Sequence, residues 1–423
     1  MSSLALWTVD KTVALTGERR HRHKGKPIAP TFVAPALVPH IQFGPTALAA
    51  AIARTATLRA APPAALARLA TSVLSDVEML IADGTGFSLS PLLSMFVDVE
   101  QTHFAGRVGA GITDLYMNAL GYSWRDNAMS LSSSLKPHGD FLYGDGNASG
   151  HGVVLAEARG SFAAKVSDAS MARAAEQKYL RQVRPYIGKP SAHGDVVHGY
   201  ALAFGSRPGT SSSFLRVSQT RRPKPHPSVA PPPGVSTSMV AASLAMATHR
   251  SNFIMMQALP VVEWIDWLGG AREIPPDAEP LHFVRFGYAG RSFLASTLPL
   301  LPRDLLYWHH HDWIDFPLRL LWRDWPPRGI GLDWFVMEET AALGFLNALS
   351  GRIRAGERGQ FGAFELPIGE IVGFGTRDGD DFRGGRREDY DFALFRDGLA
   401  LISGPPPKKI GDILTWNPKF GIS

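Results

Sequence analysis

A mixed α/β fold is predicted by three features of this 423-residue chain. Two short β-rich runs, DFLYG and GVVLAEA, flank the turn-rich GDGNASGHG, which reads as a hairpin connection. The second run leads through a helical stretch, SDASMARAAEQKYLRQVRPYI, to a further strand-like run, DVVHGYALAFGS. A strand–helix–strand unit of this length favours a parallel pair with a right-handed crossover. Ala- and Leu-rich segments before this unit predict a helical N-terminal part. Short strand-like runs after it predict an α+β C-terminal accessory region.

Residues 1–40 read as extended or irregular, because Pro27, Pro30, Pro35 and Pro39 prevent a long helix. From Pro45 to about Asp76 the composition predicts two helices broken at Pro62-Pro63. Residues 85–105 suggest another helix or two and complete the first region, 1–105. The core is placed at 106–220, opening with RVGAGITDLYMNALGYSW as a helix. In the helix that follows the hairpin, Ser167 or Asp168 is the N-cap. Met171, Ala175, Tyr179, Val183 and Ile187 recur at fourfold spacing as an apolar stripe. SSSFLRVSQT reads as one more strand, and the Pro-rich RRPKPHPSVAPPPG at 221–234 as a linker. Beyond it, 235–270 reads as a long helix or helix pair that starts at a Ser/Thr-rich cap, breaks near Pro260 and packs back on the core. Residues 271–423 form the accessory region.

Composition narrows the function classes. Hydrophobic content of 45% with 19% charged residues is that of a globular chain. The absence of cysteine excludes a disulfide scaffold, a thiolate zinc site and a cysteine nucleophile together. An early acidic residue and no sustained apolar run at the N-terminus argue against a signal peptide, and no stretch is apolar enough to span a bilayer; the expectation is a cytoplasmic protein. The net charge of +5 tolerates a polyanionic partner without demanding one. Two basic clusters, ERRHRHKGK at 18–26 and TRRPKPHP at 220–227, read as loops or arms: each is either a phosphate-neutralising segment or a solvated one.

The chemistry centres on Pro137-His-Gly-Asp140 and Glu157-Ala-Arg159. Side chains alternate along a strand, so Val153, Leu155, Glu157 and Arg159 share one face. If the partner strand brings Asp140 to the same end of the sheet, two carboxylates meet there and form a site for a hard divalent cation. These motifs, with a helix before the hairpin and a crossover helix after it, resemble the PD-(D/E)XK (restriction-endonuclease-like) nuclease superfamily over roughly residues 106–220. The resemblance implies a restriction-endonuclease-like core sheet flanked by helices, with Mg²⁺ (or Mn²⁺) held by Asp140, Glu157 and the Ala158 carbonyl. It also implies a further carboxylate from the preceding helix, Asp114, and an auxiliary polar residue on the crossover helix, Gln177. Two departures stand out. Pro137 and Asp140 are separated by His-Gly, and Arg159 occupies the position of the family lysine. Arginine keeps the charge and stabilises it, but does not give up a proton readily. Lys165 is either a migrated substitute or a solvated loop residue.

Other constellations carry less. In Trp308-His-His-His-Asp-Trp313 only His309 and His311 would share a strand face, and no second ligand spacing supports a metal. The acid-rich run 378–391 lacks the alternating oxygen ligands of a calcium loop. Phosphate-binding glycine loops and a nucleophile elbow are missing from the sequence. The implied function is metal-dependent hydrolysis of DNA or RNA phosphodiesters, in defence or DNA processing. The alternative is a nuclease fold that has lost its chemistry and serves as a nucleic-acid-binding or scaffold subunit. A homo-oligomer or a protein partner would then meet the Trp-rich C-terminal region.

Overall fold

The computed structural model describes residues 9–23, 32–59, 61–131, 137–144, 152–221, 237–270, 275, 280–296, 332–359, 362–369, 391–404 and 410–423. Residues 145–151 of the turn-rich run, the linker from 222 to 234 with residues 222–227 of its basic cluster, the three-histidine run and the acidic run 378–390 lie outside them.

The N-terminal half is a mixed sheet with helices on both faces. Its elements are β1 (Lys11–Arg22), β2 (His40–Phe43), α1 (Pro45–Ala56), α2 (Pro63–Leu80), α3 (Asp98–Ala119), β3 (Trp124–Asn127), β4 (Phe141–Gly144), β5 (Val153–Ser161), α4 (Asp168–Lys178), β6 (Pro190–Ser191), β7 (Gly194–Ser206) and β8 (Ser213–Arg221). The strand order is β2-β1-β8-β7-β5-β4-β3, with β6 beside β7. β3, β4 and β5 form an antiparallel meander, and α4 carries the chain from β5 to the parallel β7. β8 then runs antiparallel to β7 and parallel to β1. The expected hairpin and the expected parallel crossover pair are both present.

Several boundaries differ from the sequence reading, for identifiable reasons. The helix placed at 107–124 starts at Asp98 and stops at Ala119, because Gly121 adopts φ 101° and turns the chain into β3. The N-terminal segment read as irregular contributes β1, and Glu18–Arg22 of the basic cluster lies within that strand instead of an arm. The first proline, Pro27, comes only after this strand and does not interrupt it. Thr237 and Ser238 do not cap a helix; they lie in a strand.

Two local features set the position of β5. Helix α3 lies on it with no room for a side chain: a Cβ on Gly160 would come to 1.7 Å from the Ala105 carbonyl, and one on Gly109 to 2.4 Å from the Gly160 nitrogen. On the other face, α4 begins at a capping box between Ser167 and Ser170. The predicted stripe Met171, Ala175, Tyr179, Val183 and Ile187 is buried throughout. The helix is not continuous along it. After Lys178 the chain passes through a π-turn, Tyr179–Val183, and a 3₁₀ turn, Arg184–Tyr186.

The C-terminal half adds β9 (Thr237–Ala241), α5 (Ala242–Met255), α6 (Leu259–Leu268), β10 (Leu281–Tyr288), β11 (Arg291–Ser296), β12 (Leu332–Glu338), α7 (Glu339–Ala355), β13 (Ala363–Pro367), β14 (Asp391–Leu394), β15 (Leu399–Gly404), β16 (Ile410–Asn417) and β17 (Gly421–Ile422). A seven-stranded antiparallel sheet has the order β14-β15-β12-β11-β10-β16-β17, and β9 pairs with β13. One apolar cluster runs from Leu142, Leu155 and Tyr179 of the first half through Phe253 and Ile265 to Phe345 and Trp416 of the second. The two sheets therefore share a core. Among the described residues no helix is long and apolar enough to cross a membrane.

Candidate functional site

Asp140 and Glu157 do meet across the β4–β5 pair. Phe141 pairs with Ala156, and the Asp140 N–H donates to the Ala156 carbonyl at 2.9 Å, which sets Asp140 opposite Glu157. Asp140 is exposed, and its Oδ2 accepts from the Ala158 N–H at 2.9 Å. Gly139 lets the preceding loop lie flat on β5: a Cβ there would come to 2.9 Å from Leu155 Cδ1. Glu157 is 1% exposed. Its Oε1 meets Lys178 Nζ at 2.6 Å, while its Oε2 is buried with no hydrogen-bond partner.

The π-turn explains how Lys178 reaches this position. A turn with one extra residue rotates the α4 terminus relative to the stripe behind it, and such bulges recur at functional sites. Lys178 also donates to Gln182 Oε1, and Gln182 Nε2 donates to the His138 carbonyl at 3.0 Å. The His138 ring meets Tyr186 edge-on at 6.3 Å. The His138–Asp140 loop, the β5 end and the π-turn thus hold one another.

The electrostatics of the pair are unusual. Burial pushes the Glu157 carboxyl up to about 8, the adjacent Asp140 carboxylate adds to the rise, and Lys178 offsets part of it. An acid held protonated beside a second acid, with one oxygen unsatisfied, is relieved by a cation placed between them.

Three sequence-level assignments change. Asp114 is not in this cluster. It is fully buried, with Oδ2 on Arg54 Nε at 2.8 Å and Oδ1 accepting from Tyr143 Oη at 3.0 Å. Tyr143 pairs with Val154, so its side chain leaves the sheet on the face opposite Glu157. Gln177 is exposed and touches none of these groups; the neighbouring Lys178 is the crossover-helix residue that does. Arg159 shares the Glu157 face but is exposed at the strand end, and Lys178, not Arg159, pairs with Glu157. Lys165 is exposed in the loop between β5 and α4.

Lys178 and Gln182 were the residues to find. Each sits one place before a member of the buried stripe, Tyr179 and Val183, and the unbroken fourfold spacing was the available signal. At about 100° per residue, four-residue steps drift about 40° each, so a stripe that stays on one face needs a wider turn somewhere. No family model, curated protein or solved structure matches this chain.

Proposed function

We propose that this chain is a magnesium-dependent phosphodiesterase of the PD-(D/E)XK type acting on nucleic acid, with Lys178 in the role the sequence reading gave to Arg159. The observation that carries the reading is the Lys178–Glu157 contact at 2.6 Å beside Asp140. The antiparallel β3-β4-β5 meander, extended by β7 through a crossover helix, supports it as well.

The residues fit a cation. Among the described residues no group of three or more His, Cys, Asp or Glu side chains gathers at one point. Magnesium needs fewer protein ligands, taking one or two carboxylates with its remaining positions left to water and substrate. Asp140 and Glu157 would hold it, with the Ala158 carbonyl of β5 beside them. When bound, the ion supplies Lewis-acid polarisation of a phosphoryl oxygen and a more acidic water. Lys178 places a charge, donated from the helix side, where the phosphoryl group gains negative charge. Gln182 and the His138 carbonyl fix the direction of that side chain. Arg159, two residues from Glu157 on the same face, offers a bidentate contact to a neighbouring phosphate.

The near-complete burial of Glu157 favours the other reading, a nuclease fold that binds nucleic acid without cutting it. Cleavage assays on plasmid, single-stranded DNA and RNA with Mg²⁺ or Mn²⁺ separate the two. An active enzyme loses at least about 100-fold in rate in Glu157→Gln and Lys178→Met, the scale of one charge-stabilising contact. Salt-dependent binding that ignores both substitutions, with no cleavage of any substrate, leaves only the binding reading.

A further inference from the structure

A second constellation lies away from Glu157, assembled from three distant parts of the sequence. His193, in the turn between β6 and β7, has Nε2 at 2.7 Å from Asp126 Oδ2 and Nδ1 at 2.8 Å from Ser243 Oγ. Asp126 belongs to β3 and Ser243 to the first turn of α5. We propose that Ser243, His193 and Asp126 form a second hydrolytic site, a serine esterase centre for small acyl esters.

The arrangement meets the geometric conditions for an activated hydroxyl. The nucleophile lies within hydrogen-bond reach of a base, and a third group orients that base. The Asp126 carboxylate accepts from Nε2–H, which leaves Nδ1 as the acceptor for the Ser243 hydroxyl proton. The carboxylate is held in turn: its Oδ1 accepts from the Asn127 N–H at 2.7 Å. The turn bearing His193 is fixed by Ser191, whose Oγ accepts from the His193 N–H at 3.1 Å and donates to the Gly194 carbonyl at 2.6 Å. The His193 side chain is 4% exposed, whereas Ala192 and Gly194 on either side are exposed, so the site lies just beneath the surface. The Ala192 carbonyl, 3.2 Å from Ser243 Oγ, is the longer-range competitor for the hydroxyl proton.

The start of α5 supplies the remaining part. The Ala242 N–H donates to the Gly362 carbonyl at 3.3 Å. The next amides, of Ser243 and Leu244, have no acceptor within a helix that begins at Ala242. In the proposed reaction they would be the donors to the carbonyl oxygen that gains negative charge when its carbon is attacked by Ser243. The positive end of the helix acts in the same direction.

The chemistry balances with water as the co-reactant. Ser243 Oγ bonds to the ester carbonyl carbon while its proton passes to His193 Nδ1. The carbon–alkoxy bond then breaks, and that proton leaves on the departing alcohol, giving an acyl-serine. Water attacks the acyl carbon, giving a proton to Nδ1. The carbon–Oγ bond breaks, the carboxylic acid departs, and the proton returns to Ser243. Asp126 is a positioning residue that keeps the ring in one tautomer and orientation. No GxSxG elbow announces this serine, because it stands on a helix start following β9 and its partners come from two other strands' ends.

The absence of cysteine makes the test clean. Full-length protein is treated with p-nitrophenyl acetate and with a fluorophosphonate, and adducts are mapped by mass spectrometry. The expected result is labelling at Ser243, reduced at least tenfold in His193→Gln and in Asp126→Asn, with circular dichroism unchanged. In parallel, Ser243→Cys places a single thiol in the chain. Its alkylation by iodoacetamide at pH 6 is expected to run at least tenfold faster than in the same variant carrying His193→Gln, the mark of a thiolate paired with imidazole. Wild-type protein that takes no label at Ser243 overturns the proposal whatever the thiol does. Label that persists undiminished in both the His193 and Asp126 variants overturns it as well.

Discussion

Glu157 is one residue through which pH acts on this protein. Its carboxyl titrates near 8 in the fold against the usual 4.5, raised first by burial and then by Asp140. Between those values the folded chain holds a proton on Glu157 that the unfolded chain has released, so the contribution of this group to stability falls as pH rises from about 5 to 8. Glu157→Gln is expected to flatten that part of a urea-denaturation profile measured across pH. In the proposed site a cation would need the ionised pair, so the linkage gains a second arm: affinity for Mn²⁺ is expected to rise through the same window with release of about one proton per ion. Calorimetry in two buffers of different ionisation enthalpy measures that proton. In Glu157→Gln it should vanish. A binding enthalpy that ignores the buffer in the wild type would dissociate Glu157 from the cation.

At the scale of elements, the site depends on two unusual contacts that position β5 and the end of α4. The glycine pair Gly109 and Gly160 brings helix and strand into backbone contact, and no rotamer change relieves an added methyl there. Gly160→Ala is expected to cost about 3 kcal/mol or more, at the upper end of overpacking penalties, read as a shift in the denaturation midpoint without a change in slope. The π-turn makes a different demand. Deleting the exposed Leu180 restores α-helical spacing and turns Lys178 and Tyr179 together relative to Gln182 and Val183. The expected result is a folded protein in which the effect of Lys178→Met on cleavage has disappeared. Much of this level was legible in the sequence. Alternation gave β5 and the fourfold stripe gave the buried face of α4. β1 was not legible, because its Arg- and His-rich second half carries no apolar alternation; it forms through pairing with β8, from Leu15 alongside Leu215 to Arg22 alongside Arg221.

For the whole molecule, a buried charge network does what no single element does. Arg54 of α1 meets Asp114 of α3 and Asp397 of the β14–β15 turn, each at 2.8 Å. Arg125 of β3 meets the other Asp397 oxygen at 2.7 Å and Asn252 of α5 at 3.2 Å. These charged side chains are at most 1% exposed. Burial alone would push the Asp397 carboxyl up; Arg54 and Arg125 outweigh it and hold the group well below the usual carboxylate range. Asp397→Ala leaves two guanidinium groups buried with a single carboxylate between them. We expect a loss of about 3–5 kcal/mol, measured by urea denaturation. For the same reason a fragment ending at residue 270 should fail to give a cooperative transition. The C-terminal sheet therefore ties α1 and β3, the sheet neighbour of β4, to one buried carboxylate.

The sequence by itself determined the local order of this protein: the hairpin, the parallel crossover and the facing of Asp140 toward Glu157, since alternation and register are properties of neighbouring residues. It also carried Lys178 and Gln182 in a spacing that only a wider turn accommodates. The tertiary structure alone decided which cation reaches Glu157, on which side of the sheet Asp114 falls, and that Arg54, Arg125 and Asp397 share one buried point. Ion pairs joining residues hundreds of positions apart leave no periodic trace, because each partner is chosen by packing between elements and not by the chain on either side of it.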